Sequence, residues 1–215
     1  MSTPRQRSVA PGYVRIVGGE WRGTRLPVAD APGLRPTADR VRETLFNWLQ
    51  PKLHGARVLD LFAGSGALGL EALSRGAREA WLVERDVRLA GNLRATIERL
   101  HAGGRAHVAQ ADALAWLRAP QHASADRARF DVVFLDPPFA SGLWQDVLAM
   151  LPPWLADDAW LYLEAPTEAA PAPPPGWLPH REGRTREVRY ALYRRAPEAA
   201  ATLAADSTAD DAATE

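Results

Sequence analysis

Arg57-Val58-Leu59-Asp60-Leu61-Phe62-Ala63-Gly64-Ser65-Gly66-Ala67-Leu68-Gly69 is the stretch on which the reading of this chain turns. Val58, Leu59 and Leu61 form a short apolar run, the signature of a strand buried on both faces, here expected over Arg57–Leu61. Gly64 and Gly66 break it, and Leu68, Leu70, Ala72 and Leu73 then carry a helix from Ala67 to Arg75. Glycines belong where a chain turns sharply and its backbone must come close to a ligand. The start of the following helix adds unsatisfied N–H groups and a partial positive charge. Strand, glycine turn and helix together predict a nucleotide-type binding site. The literal Gly64-x-Gly66-x-x-Gly69 spacing also fits a dinucleotide fingerprint, a weak signal by itself.

A second motif, Asp136-Pro137-Pro138-Phe139, lies 70 residues beyond Gly66. Phe130–Leu135 reads as the strand that delivers it to the carboxyl edge of an open sheet, where such folds bind ligands. Two consecutive prolines fix φ and remove two N–H donors, so the carbonyls there point outward in a rigid arrangement. The Asp136 carboxylate and the Pro137 carbonyl are then acceptors for a planar amino group, and Phe139 offers a face for stacking a base. Together the two motifs point away from a nicotinamide cofactor and toward S-adenosylmethionine. The catalytic candidates are Asp136, Pro137, Pro138 and Phe139.

The sheet continues around these motifs. A second strand, Ala80–Glu84, ends in an acid 20 residues after Gly64, where a carboxylate can accept from both hydroxyls of an adenosine ribose. Asp86 is expected to cap the next helix, which runs to His101. A short third strand, Ala106–Ala109, leads to Asp112 and Ala113. Asp112 is placed to accept an adenine amino group while the Ala113 N–H meets a ring nitrogen; a plain cap for a helix over Ala113–Leu117 is the competing role, and both can hold. Leu143–Leu151 reads as a helix, Trp160–Glu164 as a fifth strand and Pro166–Pro175 as a connector. Trp177–Glu182 and Glu187–Tyr193 are expected to pair antiparallel across Gly183, a closure that suits a methyltransferase better than a dehydrogenase.

Composition narrows the chemistry. The chain has 215 residues, enough for one α/β domain with small extensions. It has no cysteine, which excludes a disulfide framework, a thiolate zinc site and a cysteine nucleophile, and its five histidines lack ligand spacing, so no metal is expected. Neither a signal peptide nor an apolar run long enough to span a membrane is visible, so a cytoplasmic protein is expected. The net charge of zero hides an asymmetry. Residues 1–42 carry eight arginines against three acids, whereas the chain from Pro197 onward carries five acids and no base. A basic end suits nucleic acid, and an acidic end suits a solvated tail.

Four segments are expected: a disordered basic stretch over 1–11, a β-hairpin and loop over 12–36, a catalytic domain over 37–195 and a disordered acidic tail over 196–215. The hairpin is read as Tyr13–Val17 and Glu20–Leu26 around a Gly18-Gly19 turn. Thr37 is read as the cap of a helix from Ala38 to Leu49. Arg15, Arg22 and Arg25 on the hairpin, with Arg35 and Arg40 at the helix entrance, are candidate contacts for RNA phosphates. A solvated charged face, and salt bridges to Asp39 or Glu43, are the plainer alternatives. No patch demands a second copy, so a monomer is expected.

Asp60 through Gly66, the acid ending strand two and Asp136–Phe139 resemble the class I S-adenosylmethionine-dependent amino-methyltransferases. More closely, Ile16–Gly23, Gly33–Thr37 with Asp39–Leu49, and Phe62–Arg75 resemble the bacterial RsmD family, over about residues 13–195. That resemblance implies an α/β, Rossmann-like class I methyltransferase fold with a mostly parallel seven-stranded sheet, a C-terminal antiparallel hairpin and a small N-terminal β-hairpin extension. It implies transfer of a methyl group from S-adenosylmethionine to the exocyclic N2 of one guanine in 16S ribosomal RNA, within the small subunit or its assembly intermediate. Asp60, Phe62, Gly64, Gly66, Glu84, Asp112 and Ala113 would hold the cofactor, with Asp60 near its methionine amino group and Glu84 at its ribose. Rival readings of the same residues are an amino-methyltransferase on adenine in DNA or glutamine in protein, an NAD-dependent oxidoreductase, and a non-catalytic RNA-binding assembly factor. The acidic tail matches no motif of the family.

Overall fold

A computed structural model describes residues 12–28, 39–119, 129–168 and 171–196. In chain order the elements are β1 (Gly12–Arg15), β2 (Arg25–Val28), α1 (Asp39–Leu53), β3 (Arg57–Asp60), α2 (Gly69–Ser74), β4 (Glu79–Glu84), α3 (Val87–Arg99), β5 (Ala106–Gln110), α4 (Ala113–Arg118), β6 (Phe130–Leu135), α5 (Trp144–Met150), β7 (Leu155–Pro166), β8 (Trp177–Arg184) and β9 (Val188–Arg195). Seven strands form one sheet in the order β5-β4-β3-β6-β7-β9-β8. β3 through β7 pair in parallel, and β9 runs antiparallel to both β7 and β8. The apolar strands are central because both faces are covered: β3 is buried at every position. α1, α2 and α3 pack on one face, where Leu45, Phe46, Leu70 and Leu93 meet Val58, Leu82 and Phe134. α4 and α5 pack on the other, where Trp116, Trp144 and Val147 meet Leu59, Val133 and Leu163.

Strand order reverses between β3 and β6, since β4 and β5 lie to one side and β7 to the other. At such a switch point the two neighbouring loops leave the sheet in opposite directions and open a crevice at its carboxyl edge. α1 runs against the strands it covers. Lys52 in its last turn bonds Asp158 at 2.6 Å and lies 3.7 Å from Asp131 near the start of β6. Its first turn therefore points to the carboxyl edge.

The N-terminal region departs from the expected hairpin. Its strands are Gly12–Arg15 and Arg25–Val28, so Glu20 to Thr24 are not in a strand, and Gly18-Gly19 is not a two-residue turn. Residues 16–24 form a loop docked on α2. The Val17 N–H donates to Glu71 at 2.7 Å, Glu20 N–H to the Ser74 carbonyl at 2.7 Å, and Trp21 N–H to the Ser74 hydroxyl at 2.9 Å. A Cβ on Gly19 (φ +80°) would strike the Ser74 carbonyl. Tertiary contact, not turn geometry, sets these two glycines. Ile16, Trp21 and Leu26 join the core beneath α1, α2 and α3, so the extension and the sheet share one interior.

Smaller differences follow the same logic. β7 begins at Leu155 rather than Trp160, because Leu155 pairs with Phe130 ahead of a bulge. The β8–β9 turn falls at Thr185–Glu187, and Gly183 lies inside β8, where a side chain would strike the Tyr190 ring. α2 is regular from Gly69 instead of Ala67. The Thr37 cap, the residues before Gly12 and the tail beyond Ala196 lie outside the described residues.

Candidate active site

After β3 the chain keeps its place in the sheet for three more residues, through Ala63. The Leu61 N–H donates to the Phe134 carbonyl at 3.3 Å and the Ala63 N–H to the Val83 carbonyl at 3.0 Å. Gly64 (φ +53°) and Gly66 (φ +80°) then take left-handed conformations that side chains disfavour. The Gly64 N–H donates to Glu84 Oε2 at 2.9 Å, and the Asp86 N–H donates to Glu84 Oε1 at 2.8 Å. Glu84 thus ties the glycine loop to the end of β4. A Cβ on Gly69 would lie 2.2 Å from the end of the Leu82 side chain, so the bare glycine lets α2 lie close on β4.

Asp60 sits under this loop, buried, accepting from the Gly69 N–H at 3.0 Å. Burial raises its carboxyl to about 7, against the lowering pull of the Gly69 and Phe62 N–H groups and with a smaller push from Glu84. Such a carboxyl changes charge near neutral pH. At the end of β5, Asp112 caps α4 by accepting from the Ala115 N–H at 3.0 Å, so the capping role is present. The Ala111 N–H donates to the Glu84 carbonyl at 3.1 Å, which draws this corner to the end of β4. Asp60, Phe62, Gly64, Gly66, Glu84, Asp112 and Ala113 therefore gather at the carboxyl ends of β3, β4 and β5.

Across the switch point, β6 ends at Leu135 and Asp136 follows, half-buried. Pro137 is buried and Pro138 exposed; the Pro138 carbonyl accepts from the Ser141 N–H at 2.8 Å and closes a single helical turn over Phe139–Ser141. The Phe139 ring is half-buried, its centroid 6.3 Å from that of Trp144. The Trp144 indole N–H donates to the Glu164 carbonyl at 2.9 Å. Two further residues meet here that the sequence reading did not single out for the site. The buried Tyr162 hydroxyl donates to Glu164 Oε2 at 2.7 Å, and Glu164 itself is nearly buried. Burial, then the Glu164 and Asp136 charges, push the Tyr162 hydroxyl well above the usual tyrosine range, so it remains a donor. Period-two alternation along β7, which sets Tyr162 and Glu164 on one face, was the available signal.

The arginine candidates separate. Arg40 is exposed in the first turn of α1, at the carboxyl-edge end. Arg22 and Arg25 belong to the N-terminal segment that meets the far ends of α2 and α3: the Arg25 carbonyl accepts from Arg99 at 3.1 Å, and Glu20 pairs with Arg105 at 2.9 Å. These mark the amino edge, away from Asp136. The Arg25 guanidinium lies 4.4 Å from the Tyr13 ring centroid. Arg15 is exposed, its carbonyl accepting from Arg42 at 2.7 Å. Arg35 lies outside the described residues. Arg42 itself is buried, 3.9 Å from the buried Glu71, and bonds Asp39. The β8–β9 turn reaches the carboxyl edge, because Val188 on antiparallel β9 pairs with Pro166 at the end of β7, and there it exposes Arg184 and Arg186. Among the described residues no three His, Cys, Asp or Glu side chains form a group that could hold a metal, and no helix is long and apolar enough to cross a membrane.

A glycine loop and a D-P-P-F segment facing each other at the switch point of a mostly parallel seven-stranded sheet, closed by an antiparallel hairpin, define a Rossmann-like methyltransferase. The family described as conserved hypothetical protein 95 matches residues 14–194. Ribosomal RNA small subunit methyltransferase D of Escherichia coli is 47% identical over 187 residues, covering 86% of this chain and 91% of that protein. The Haemophilus influenzae protein of the same name is 43% identical over 188 residues, 86% of this chain and 95% of its own length. Of the solved structures, the Escherichia coli yhhF protein superposes with a TM-score of 0.77 at 44% identity, covering 87% of this chain and 100% of that one. This chain belongs to the RsmD family of methyltransferases.

Proposed function

We propose that this protein transfers a methyl group from S-adenosylmethionine to the exocyclic N2 of a specific guanine in 16S ribosomal RNA. The observation that carries the reading is the Asp136–Phe139 segment at the end of β6, set against the glycine loop where the strand order reverses. Its relatives named as small-subunit ribosomal RNA methyltransferases give it the substrate class.

The residues at the ends of β3, β4 and β5 fit the cofactor by their chemistry. A buried carboxyl under the loop, Asp60, suits a cationic amino group. Glu84 suits vicinal hydroxyls, and Asp112 with the Ala113 N–H suits the adenine edge, as Gly64 and Gly66 keep the backbone bare beside it. When bound, S-adenosylmethionine supplies a methyl group on a positively charged sulfur. The chain's own residues present the amine. The base must leave its stack, at a cost of about a few kcal/mol. Stacking on Phe139 returns ~1–3 kcal/mol. The amine lone pair is delocalised into the purine ring, so it is a poor nucleophile. Hydrogen bonds from its two N–H groups to Asp136 and to the Pro137 carbonyl turn that lone pair toward the methyl, which is catalysis by positioning. The N–C bond would form as the sulfur–methyl bond breaks, its electron pair staying on sulfur; the nitrogen is left cationic, and Asp136 takes the proton that is then surplus. Arg40, Arg184 and Arg186 ring the same edge and suit RNA phosphates.

The test is transfer of labelled methyl to small ribosomal subunits from cells lacking this gene, followed by digestion of the RNA to nucleosides. Label in N2-methylguanosine is expected. Label in adenosine, or only in protein or DNA, would overturn the substrate while leaving the fold; no transfer despite cofactor binding would favour an assembly factor.

A further inference from the structure

We propose that the β8–β9 hairpin is the arm that holds the RNA beside the target nucleotide, with Arg181 and Arg194 gripping phosphates on the face it shares with α1. The inference rests on the ribosomal RNA reading above and deepens it by naming the surface on which that RNA lies. β8 is the outermost strand of the sheet, and β9 separates it from β7. α1 covers the sheet as far as β9, where Trp48 stacks on Tyr190 with ring centroids 5.7 Å apart. The Tyr190 ring leans over Gly183 on β8, where a Cβ would come within 2.4 Å of it. Arg181 pairs with Leu192, two residues from Tyr190, and Leu178 pairs with Arg194, so all share the α1 face. Arg181, Arg194 and Leu178 are exposed there. The hairpin is an open shelf, and α1 is its wall.

An edge strand needs protection from stray pairing, which proline, a bulge or charges of either sign supply. Pro179 and the irregularity between Pro179 and Arg181 already provide it here. Protection does not explain the sign of the charge. Arg181, Arg184, Arg186 and Arg194 are exposed along the hairpin against two exposed acids, of which Glu182 is held by Arg189 at 2.8 Å. His180 in the bulge registers that field. Its ring lies 4.8 Å from Trp160, and burial, then Arg181 and Arg194, push it below the usual histidine range. Asp158, which feels Arg194, is already bonded by Lys52 at 2.6 Å. The Arg194 guanidinium lies 5.4 Å from the Trp160 ring centroid. Stacking occupies a face of a guanidinium and not the edge donors whose fork suits a phosphate. From strand spacing and rise, Arg181 and Arg194 each lie about 16 Å from Asp136. That is too far for the flipped guanosine itself and suits phosphates of neighbouring nucleotides. The shelf thus extends the path that Arg184 and Arg186 begin at the carboxyl edge.

The experiment measures binding of the full chain to small ribosomal subunits from cells lacking this gene, over a range of salt, with methyl transfer followed in parallel. Arg181→Ala with Arg194→Ala should weaken binding about tenfold at low salt and flatten the slope of log affinity against log salt by about 1.5. S-adenosylmethionine affinity and the transfer rate at saturating subunits should not change. Arg181→Lys with Arg194→Lys should restore most of the slope, because the counterions released depend on charge. Unchanged affinity and slope would overturn the proposal. So would a loss that salt does not alter and lysine does not restore, the mark of a ribosomal protein docking there. Should the loss of Arg194 from the Trp160 ring disturb the fold, Arg181→Ala alone should weaken binding about threefold; no effect overturns the proposal equally. Absence of N2 label, with binding altered as expected, would overturn the guanine reading and leave the arm standing.

Discussion

Gly64–Gly66 and Gly18–Gly19 look alike in the chain, two glycine pairs beside apolar runs, yet they do opposite things. The first pair holds left-handed backbone beside three acids, Asp60, Glu84 and Asp112, at the open edge of the sheet. The second is pressed shut. A side chain on Gly18 would come within 2.5 Å of the Arg75 guanidinium, and one on Gly19 would strike the Ser74 carbonyl. Beneath the closed loop Glu71 accepts from the Val17 N–H and from Arg75 at 2.6 Å, with Arg42 on its other side. A glycine pair thus reports close approach without saying of what. The neighbours decide: ionisable groups at a strand-order reversal prepare a ligand site, and a buried ion cluster prepares a joint.

If that contrast is right, damage to the closed loop should appear in stability and damage to the open one in cofactor affinity. The largest stability loss is expected from Arg42→Ala, which empties a buried site, takes one cation from the Glu71 cluster and removes the donor to the Arg15 carbonyl, and should cost about 3–5 kcal/mol. Gly19→Ala should cost about 3 kcal/mol, through strain at φ +80° and overlap with backbone, lowering the melting midpoint by roughly 6–12 °C. In both, the folded fraction should bind S-adenosylmethionine as the unaltered protein does, measured by calorimetry. Gly66→Ala shares the strain at φ +80° but meets the Leu93 and Leu70 side chains, at 2.7 and 2.9 Å, instead of backbone, so it should lose less stability than Gly19→Ala while losing at least ~10-fold in cofactor affinity.

The open loop should also be the pH-sensitive one. With Asp60 raised to about 7 from an ordinary 3.8, the folded protein holds a proton that the unfolded chain has released, so this group's contribution to stability falls as pH rises from about 4 to 7. Binding a cationic amino group needs the ionised form. Cofactor affinity should therefore weaken about tenfold between pH 8 and pH 6, and Asp60→Asn should flatten that dependence.

Much of this was legible beforehand because the signals are local. The glycine loop, the parallel strands, the Asp86 and Asp112 caps and the D-P-P-F segment each rest on residues within one strand-turn-helix of one another. The joint was not legible. Glu71 and Arg75 at helical spacing look like a solvated surface pair, and only the packing of residues 16–24 over α2 buries Glu71 and half-covers Arg75. β2 was misplaced because Glu20–Thr24 have strand composition but spend their hydrogen bonds on the loop and α2. Glu164 read as an ordinary strand residue; its nearness to Asp136 depends on the β6–β7 register, which no single segment states.

The smallest effect should separate the two ends of the molecule. Arg184→Ala with Arg186→Ala, at the carboxyl edge, should raise KM for subunits several-fold and shallow its salt dependence by about two phosphate contacts. Arg22→Ala with Arg25→Ala, at the amino edge, should change KM less. The reverse order would move the RNA path to the N-terminal region.

The central claim is that the two sides of the crevice divide the labour, the loop side binding cofactor and the D-P-P-F side presenting the amine. Its most direct test is Asp136→Ala, measured for S-adenosylmethionine affinity and for single-turnover methyl transfer to small subunits. Loss of one positioning contact should slow transfer at least ~100-fold, with cofactor affinity within about twofold of the unaltered protein. A large fall in cofactor affinity, or transfer at an undiminished rate, would contradict that division.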